Sequence, residues 1–464
     1  MDLAAVRHYI GEHKEAQPGT KIQYGHPSPR FWKPVALTAA RVRELRQPER
    51  QLFLYLHIPF CPKTDPPACG FCLFAREDFT GYPAVVKYLD YLERELALHA
   101  PLFAGETIDC VYFGGGTPNV LRPRDYERIM TAVRQNLQLK PGAEVTLEGV
   151  PQLFDGERIA AMAEAGITRA SVGAQQLKEE LLQYSGRQQT AEQVLYAIEE
   201  SHRHGLSVNV DLICGWFDQT EQDLEDDLQQ LIPLAPESIV IHPLTLAGPS
   251  HFAQEKARLP ATSETCATFM RGRRLLEQHG YWGSSYTDYM LRNPPRGPEE
   301  TKYLRFYRDF LRYDRLGIGY GANSLFAGTA TAPGITWRNI DQTNSYYDQV
   351  DAGTLPVLEG FVFSHEDVRL LYVLKGLEGT PLLNASAYRQ AFGGDLERDF
   401  EPYWNGLRET GWLEVGDDGT YRLVGDGVFY TPMIQRCLSE DRNAELRRQA
   451  SPQVRTRNQI FTAP

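Results

Sequence analysis

From about residue 50 the chain alternates between short apolar runs and longer amphipathic periods. The runs QLFLYLHI (51–58), TIDCVYF (107–113), EVTLEGV (144–150), ITRASVG (167–173), LSVNVDLIC (206–214) and SIVIHPL (238–244) predict buried strands. Between them, PAVVKYLDYLERELALHA (83–100), PRDYERIMTAVRQNL (123–137), ERIAAMAEAG (157–166), TAEQVLYAIEESHRHG (190–205) and TEQDLEDDLQQLI (220–232) repeat their apolar residues at helical spacing. Gly166 and Gly205 fall where helix C-caps are expected. Strict alternation of strand and helix implies a parallel sheet with crossover helices, an α/β fold. Six such units are too few to close an eight-fold barrel, which leaves an open partial barrel or a doubly wound sheet. In either, a ligand sits at the C-terminal ends of the strands.

The flanks follow other patterns. Residues 1–47 are weakly periodic, as in GTKIQYGHPSPRFWKP, and predict an irregular arm packed over something else. Residues 246–358 are mixed, with a helix near 262–279 and the Gly-rich stretch DRLGIGYGANSLFAG. From about residue 364, SHEDVRLLYVLKGLEG and DFEPYWNGLRETGWLEVGDDGTYRLVGDG predict helices followed by a small hairpin turning at DDG. The expected division is an arm (1–47), the barrel and its extension (48–358), a winged-helix-like α+β domain (359–440) and a tail (441–464).

The chemistry gathers at the strand ends. Cys61, Cys69 and Cys72 lie within twelve residues directly after the first strand, with no fourth cysteine nearby. Structural zinc wants four ligands, and a disulfide would leave one sulfur over. Three thiolates suit an iron–sulfur cluster with one open iron. GGGTP (114–118) follows the second strand, where glycines let the backbone approach a ligand. Glu148, Gln175, Arg187 and Asp211 lie at or just past apolar strands. One such residue is usually a cap or a solvated charge; four on one rim favour a ligand carrying hydroxyls, an ammonium and a carboxylate. Asp211 sits inside VNVDLIC and would need a partner if buried. His57 shares a strand face with Tyr55 and is more simply a satisfied core histidine. The aromatic stretch YLRFYRDFLRY (303–313) is more simply core than pocket.

Composition narrows the class only slightly. The 464 residues are 42% hydrophobic and 23% charged, as in an ordinary globular protein. A net charge of −12 argues against nonspecific nucleic-acid binding. No apolar run is long enough to span a bilayer, and the N-terminus lacks a signal-peptide core, so a cytoplasmic protein is expected. The other cysteines, Cys110, Cys214, Cys266 and Cys437, are scattered.

Taken together, YLHIPFC…CGFC, YFGGGTP, SVGAQQ, SGRQQTAEQVLYAI, VNVDLICGWFDQT and LGIGYGANS resemble the radical S-adenosylmethionine (SAM) enzymes related to oxygen-independent coproporphyrinogen dehydrogenase, in order over about residues 50–435. The resemblance implies a partial (β/α)6 barrel with a C-terminal winged-helix-like domain. It implies a [4Fe–4S] cluster on Cys61, Cys69 and Cys72, with SAM chelated at the open iron and often a second SAM beside it. It also implies a SAM pocket lined by Tyr55, Phe71, Gly115, Gly116, Thr117, Glu148, Gln175, Arg187 and Asp211, with Ile241 and Asn323 as further members. An electron donor such as flavodoxin or ferredoxin would be a partner.

The departures from the family matter. Its usual CX3CX2C is CX7CX2C here, with PKTDPPA between the first two cysteines, and Phe74 occupies the place of a further cysteine in the coproporphyrinogen enzymes. The HNxxYW of the related haem chaperones is replaced by KYLRFYRDF, and GLPGQT by GWFDQT, so that Trp216 and Phe217 are expected to shape a different substrate pocket. The chain most resembles the branch that methylates or cyclopropanates sp2 carbons of aromatic or conjugated small molecules with two SAM molecules. The alternatives are a porphyrinogen decarboxylase or other tetrapyrrole-modifying enzyme, and a haem-binding carrier. The catalytic acid/base residue is not indicated by the sequence.

Overall fold

A computed structural model describes residues 1–15, 26–47, 49–66, 69–72, 74–246, 250–309, 311–379 and 383–449. Six strands form its centre: β1 (Gln51–Ile58), β2 (Thr107–Gly115), β3 (Gln138–Gly149), β4 (Arg169–Gln175), β5 (Ser207–Cys214) and β6 (Ser238–Pro243). They lie side by side in chain order and all run parallel. A doubly wound sheet would reverse that order part-way. These six do not, and the sheet that contains them does not close on itself, so the α/β architecture is the open partial barrel. β3 starts at Gln138, ahead of the expected Glu144, where the β2–β3 register shifts.

The sheet continues beyond both ends of the six. Antiparallel β7 (Tyr281–Gly283) and β8 (Asp288–Leu291) extend it past β6. On the other side, β9 (Tyr313–Ile318) runs parallel to β1, followed by antiparallel β10 (Asn323–Phe326), β11 (Gly334–Asn339) and β12 (Val357–Phe363). These strands come from the stretch that looked mixed in the sequence.

The two faces of the central strands differ in chemistry. In β1, Leu52, Leu54 and Leu56 are fully buried against the helical layer. The alternate residues Phe53, Tyr55 and His57 face the lumen with Tyr112 of β2, as their ring contacts show. On helix Tyr82–His99, Val85, Leu89, Leu92 and Leu96 form one buried stripe at helical spacing. Thr190 and Thr220 start the helices Ala191–Arg203 and Glu221–Leu231 with reciprocal capping boxes to Gln193 and Asp223.

The arm is more ordered than its sequence suggested. Leu3–His13 and Ala39–Leu45 are helices. Val6 and Ile10 are buried, and Val6 lies so close to Gly406 of helix Glu401–Glu409 that a Cβ there would come within 2.6 Å. The buried set of the first helix is only Val6, Tyr9 and Ile10, too short a stripe to stand out before its partner helix is known. Arm residues 16–25 and tail residues 450–464 lie outside the described residues. The C-terminal hairpin forms as expected, with Leu413–Val415 and Thr420–Leu423 joined through DDG and a third strand, Leu383–Asn384, added.

A buried ionic cluster ties the arm to this region. Asp367 accepts hydrogen bonds from His26 (2.9 Å), Arg442 (2.8 Å to each oxygen) and the Ser364 hydroxyl (2.6 Å). Burial alone would raise its pKa; these partners outweigh burial and hold the carboxylate well below the usual range. Because the folded-state pKa is depressed, the contribution is present above the unfolded value of about 3.9 and is lost as pH falls through the lower folded value. Asp367→Ala is expected to cost about 3–5 kcal/mol by leaving Arg442 unpaired. Denaturant unfolding at pH 7 measures it, and the gap to wild type should narrow under strong acid. No described helix is long and apolar enough to cross a membrane.

Candidate active site

The loop after β1 is clasped at its base. Phe60 and Cys61 pair in parallel with Glu77 and Asp78, and the Pro59 and Cys61 carbonyls each accept an amide at 2.8 Å, from Glu77 and Phe79. Within the clasp, the Cys69 amide donates to the Thr64 hydroxyl at 3.3 Å. Cys69 (φ 54°) and Gly70 (φ 71°) are both left-handed, which turns the chain sharply. The Phe252 amide donates to Gly70 O at 3.0 Å, and a Cβ on Gly70 would meet the Phe252 ring at 2.7 Å. Asp65, in the stretch between Cys61 and Cys69, has its own seat: a Cβ on Gly186 would lie 2.8 Å from its carbonyl.

All three cysteines are half-buried. The Thr117 hydroxyl donates to Cys61 Sγ at 3.5 Å, and Arg187 Nη1 lies 4.0 Å from Cys69 Sγ. The Phe74 amide donates toward Cys72. Burial pushes the Cys61 thiol up to about 11 and the Cys72 thiol upward. GGGTP packs under the loop: the Gly116 amide donates to Ile58 O at 2.8 Å, and a Cβ there would come within 2.5 Å of Pro59 O. Gly116→Ala is therefore expected to shift the end of β1 and cost about 1–3 kcal/mol. Thermal unfolding and the iron content after reconstitution would register it.

Below the loop the lumen is polar. Tyr112 donates to Glu148 at 3.5 Å. Burial and the nearby Asp211 carboxylate push Glu148 up to about 8, against the Tyr112 hydrogen bond and the Arg187 charge. Arg187 donates to Gly173 O (2.5 Å) and Gln189 (2.8 Å). Gln175, left-handed at φ 66°, folds its amide back over Gly173. Asp211 accepts from Ser171 (2.9 Å) and Asn209 (2.8 Å). The far end of the lumen is closed by helix Lys302–Arg308: Glu144 accepts the amides of Lys302 (2.8 Å) and Tyr303 (3.3 Å), and the Tyr303 ring stacks on Tyr112 at 4.5 Å.

Comparison with known proteins gives this arrangement a family. Residues 55–231 match the radical SAM superfamily. Those residues form a radical SAM domain. Among its relatives, the oxygen-independent coproporphyrinogen III oxidase of Escherichia coli (strain K12) is 29% identical over 342 residues, covering 72% of each chain. The haem chaperone HemW of Bacillus subtilis (strain 168) is 24% identical over 81% of this chain and 97% of its own. The anaerobilin synthase of Escherichia coli O157:H7 is 28% identical over 68% and 69%. The solved structure of Escherichia coli coproporphyrinogen III oxidase superposes with a TM-score of 0.76 at 24% identity, over 90% of this chain and 99% of its own, and establishes the fold.

A radical SAM enzyme takes a [4Fe–4S] cluster and SAM as cofactors, and the donor set fits them. Among the described residues, no three Cys, His, Asp or Glu side chains converge on a single-ion position. A cubane takes each thiolate on a different iron, so its ligands stand further apart than those of zinc. Cys61 and Cys72, half-buried thiols whose pKa values burial raises, would be ionised on binding a cationic cluster.

Tyr55, Glu148, Gln175, Arg187 and Asp211 gather at the lumen rim, with Gly115, Gly116 and Thr117 beneath the cysteine loop and Phe71 beside Trp216 (ring centroids 5.2 Å apart). Two expected members do not join them by their side chains. Ile241 points outward onto Gly272, and its amide donates to Thr287 O at 3.0 Å. Asn323 is exposed on β10. Trp216 and Phe217 are buried with Phe252 and Leu181, so they support the loop rather than line a pocket. His57 is a satisfied core histidine: it donates to Ala75 O at 2.9 Å, Tyr55 lies 3.2 Å from its other nitrogen, and burial lowers its pKa to about 4. Tyr112, Arg169, Ser171 and Asn209 were missed. Their signal was strand parity: each sits two residues along from another lumen position.

Proposed function

We propose that Cys61, Cys69 and Cys72 hold the cluster and that SAM lies between it and the lumen residues Tyr55, Glu148, Gln175, Arg187 and Asp211, bordered by Phe71, Gly115, Gly116 and Thr117. The observation that carries this is the placement of three cysteines over a lumen whose rim holds two carboxylates and an arginine. The bound cluster, once reduced, supplies the electron that cleaves SAM to methionine and a 5′-deoxyadenosyl radical. The protein's part is to bind, orient and exclude water. Arg187 supplies a fixed positive charge for a carboxylate. Asp211 offers acceptors to hydroxyls or an ammonium. Tyr112 orients Glu148, and helix Lys302–Arg308 closes the lumen floor.

The reaction we propose is modification of an sp2 carbon of an aromatic or conjugated small molecule, by methylation or cyclopropanation with a second SAM. Phe74 supports this over coproporphyrinogen decarboxylation, since an exposed phenyl group replaces a thiol beside the cluster loop. A second reading, tetrapyrrole modification, is favoured by the relatives, which include coproporphyrinogen oxidases and an anaerobilin synthase. The electron would come from a carrier such as flavodoxin or ferredoxin, in the cytoplasm.

Anaerobic reconstitution with SAM, reductant and candidate conjugated substrates separates these readings. 5′-Deoxyadenosine together with S-adenosylhomocysteine supports one-carbon transfer. 5′-Deoxyadenosine with carbon dioxide from a porphyrinogen supports decarboxylation. Haem uptake with neither nucleoside product points to a carrier and refutes the enzyme.

A further inference from the structure

A chain of buried hydrogen bonds crosses the lumen floor from a permanent cation to Asp211. Arg169 on β4 donates through Nη2 to Ser238 Oγ on β6 at 3.0 Å. Ser238 donates onward to Asn209 Oδ1 on β5 at 2.7 Å. The Asn209 amide nitrogen then donates both to Ser171 Oγ (2.9 Å) and to Asp211 Oδ1 (2.8 Å). Ser171 completes the chain by donating to Asp211 Oδ2 at 2.9 Å. Arg169, Ser171, Asn209 and Ser238 are each at most 4% exposed.

The direction of every bond in this chain is fixed. A guanidinium has donors only, so Ser238 accepts from Arg169, and its own proton is directed to Asn209. That makes the atom facing Ser238 the amide oxygen and presents the amide nitrogen to Asp211 and Ser171. Ser171 accepts from Asn209, and its proton is left for the second carboxylate oxygen. With Asp211 as the acceptor this orientation gives every bond of the chain one donor and one acceptor, while the buried Arg169 Nε makes no hydrogen bond.

The consequence falls on Asp211. Each carboxylate oxygen offers about two acceptor sites, and the network occupies one on each. One site on each oxygen remains, in the plane that Asn209 and Ser171 have set. We propose that Arg169, Ser238 and Asn209 form a positioning relay that locks Asp211 in rotation, so that its two free acceptor sites meet paired donors on SAM, the vicinal hydroxyls of its ribose or its ammonium group. The inference rests on the reading of Asp211 as a SAM-pocket residue. The relay residues themselves do not touch the cofactor; they act through Asp211.

The test is a double-mutant cycle on the reconstituted full-length enzyme, with SAM affinity measured by anaerobic equilibrium dialysis and iron content measured alongside. Asn209→Ala is expected to weaken SAM binding about tenfold, the loss of one hydrogen bond to a charged group, with iron content and far-UV circular dichroism unchanged. Ser238→Ala, which removes only the hydroxyl that aims Asn209, should show a smaller loss of the same kind and serves if Asn209→Ala folds poorly. In an Asp211→Asn background, Asn209→Ala should cost nothing further. Wild-type SAM affinity in both relay variants, or losses that simply add to that of Asp211→Asn, would overturn the relay while leaving the pocket reading intact. If Asp211→Asn alone leaves SAM affinity unchanged, the pocket reading fails and takes the relay with it.

Discussion

Cys69→Ala is expected to fold, to lose the stable cluster and to bring SAM cleavage down to background. Cys69 is half-buried on a loop clasped at its base by the Phe60–Cys61 and Glu77–Asp78 pairing, so removing its sulfur should cost the fold only about 1 kcal/mol. The cluster is different, because only three cysteines are available to it on this loop. Losing one leaves two irons without a protein thiolate, where the intact site leaves one for SAM. Iron and sulfide analysis, with the visible absorption of the reconstituted protein, measures the first effect; 5′-deoxyadenosine formation measures the second. A variant that holds a full cluster and cleaves SAM at the wild-type rate would remove Cys69 from the ligand set.

Arg187→Ala should give the next largest effect, a loss of SAM affinity of about a hundredfold, equivalent to two charge-assisted hydrogen bonds. Arg187 is buried, and it links three parts of the site: the Gly173 carbonyl at the end of β4, Gln189, and the sulfur of Cys69. Removing it leaves the Gly173 carbonyl without that donor and takes a positive charge from beside Glu148. Arg187→Lys keeps the charge but not the planar fork, so it should recover only part of the affinity. Equal SAM binding by Arg187→Ala and wild type would place the cofactor elsewhere.

The sequence was most legible where one strand or helix decides the pattern by itself. The six apolar runs became β1–β6 because strands buried on both faces leave little choice of residue. What it hid depends on partners far along the chain. The helix at Leu3–His13 needs helix Glu401–Glu409 to cover Val6 and Ile10. The parallel placement of β9 beside β1 joins residues some 260 positions apart, and no local pattern announces it.

The site shows the same division. Cys61, Cys69 and Cys72 stand out by spacing, and Asp211 by lying within an apolar run. Asn209 and Ser171 look like ordinary polar interruptions of a strand until the register sets Ser171 opposite Asn209. Ile241, included in the pocket by a motif match, is turned by strand parity so that its side chain lies on Gly272. Trp216 and Phe217 were expected to shape a substrate pocket because GWFDQT stands here in place of GLPGQT. Their burial with Phe252, which braces Gly70, assigns them to the support of the cysteine loop.

The central claim is that this loop and lumen form a working radical SAM site, and the most direct measurement is 5′-deoxyadenosine formed by the anaerobically reconstituted, reduced full-length protein given SAM alone. The account predicts 5′-deoxyadenosine from a protein carrying about four irons per chain, and its loss in Cys69→Ala. A protein that carries its full complement of iron, binds SAM and still forms no 5′-deoxyadenosine under reduction would contradict it.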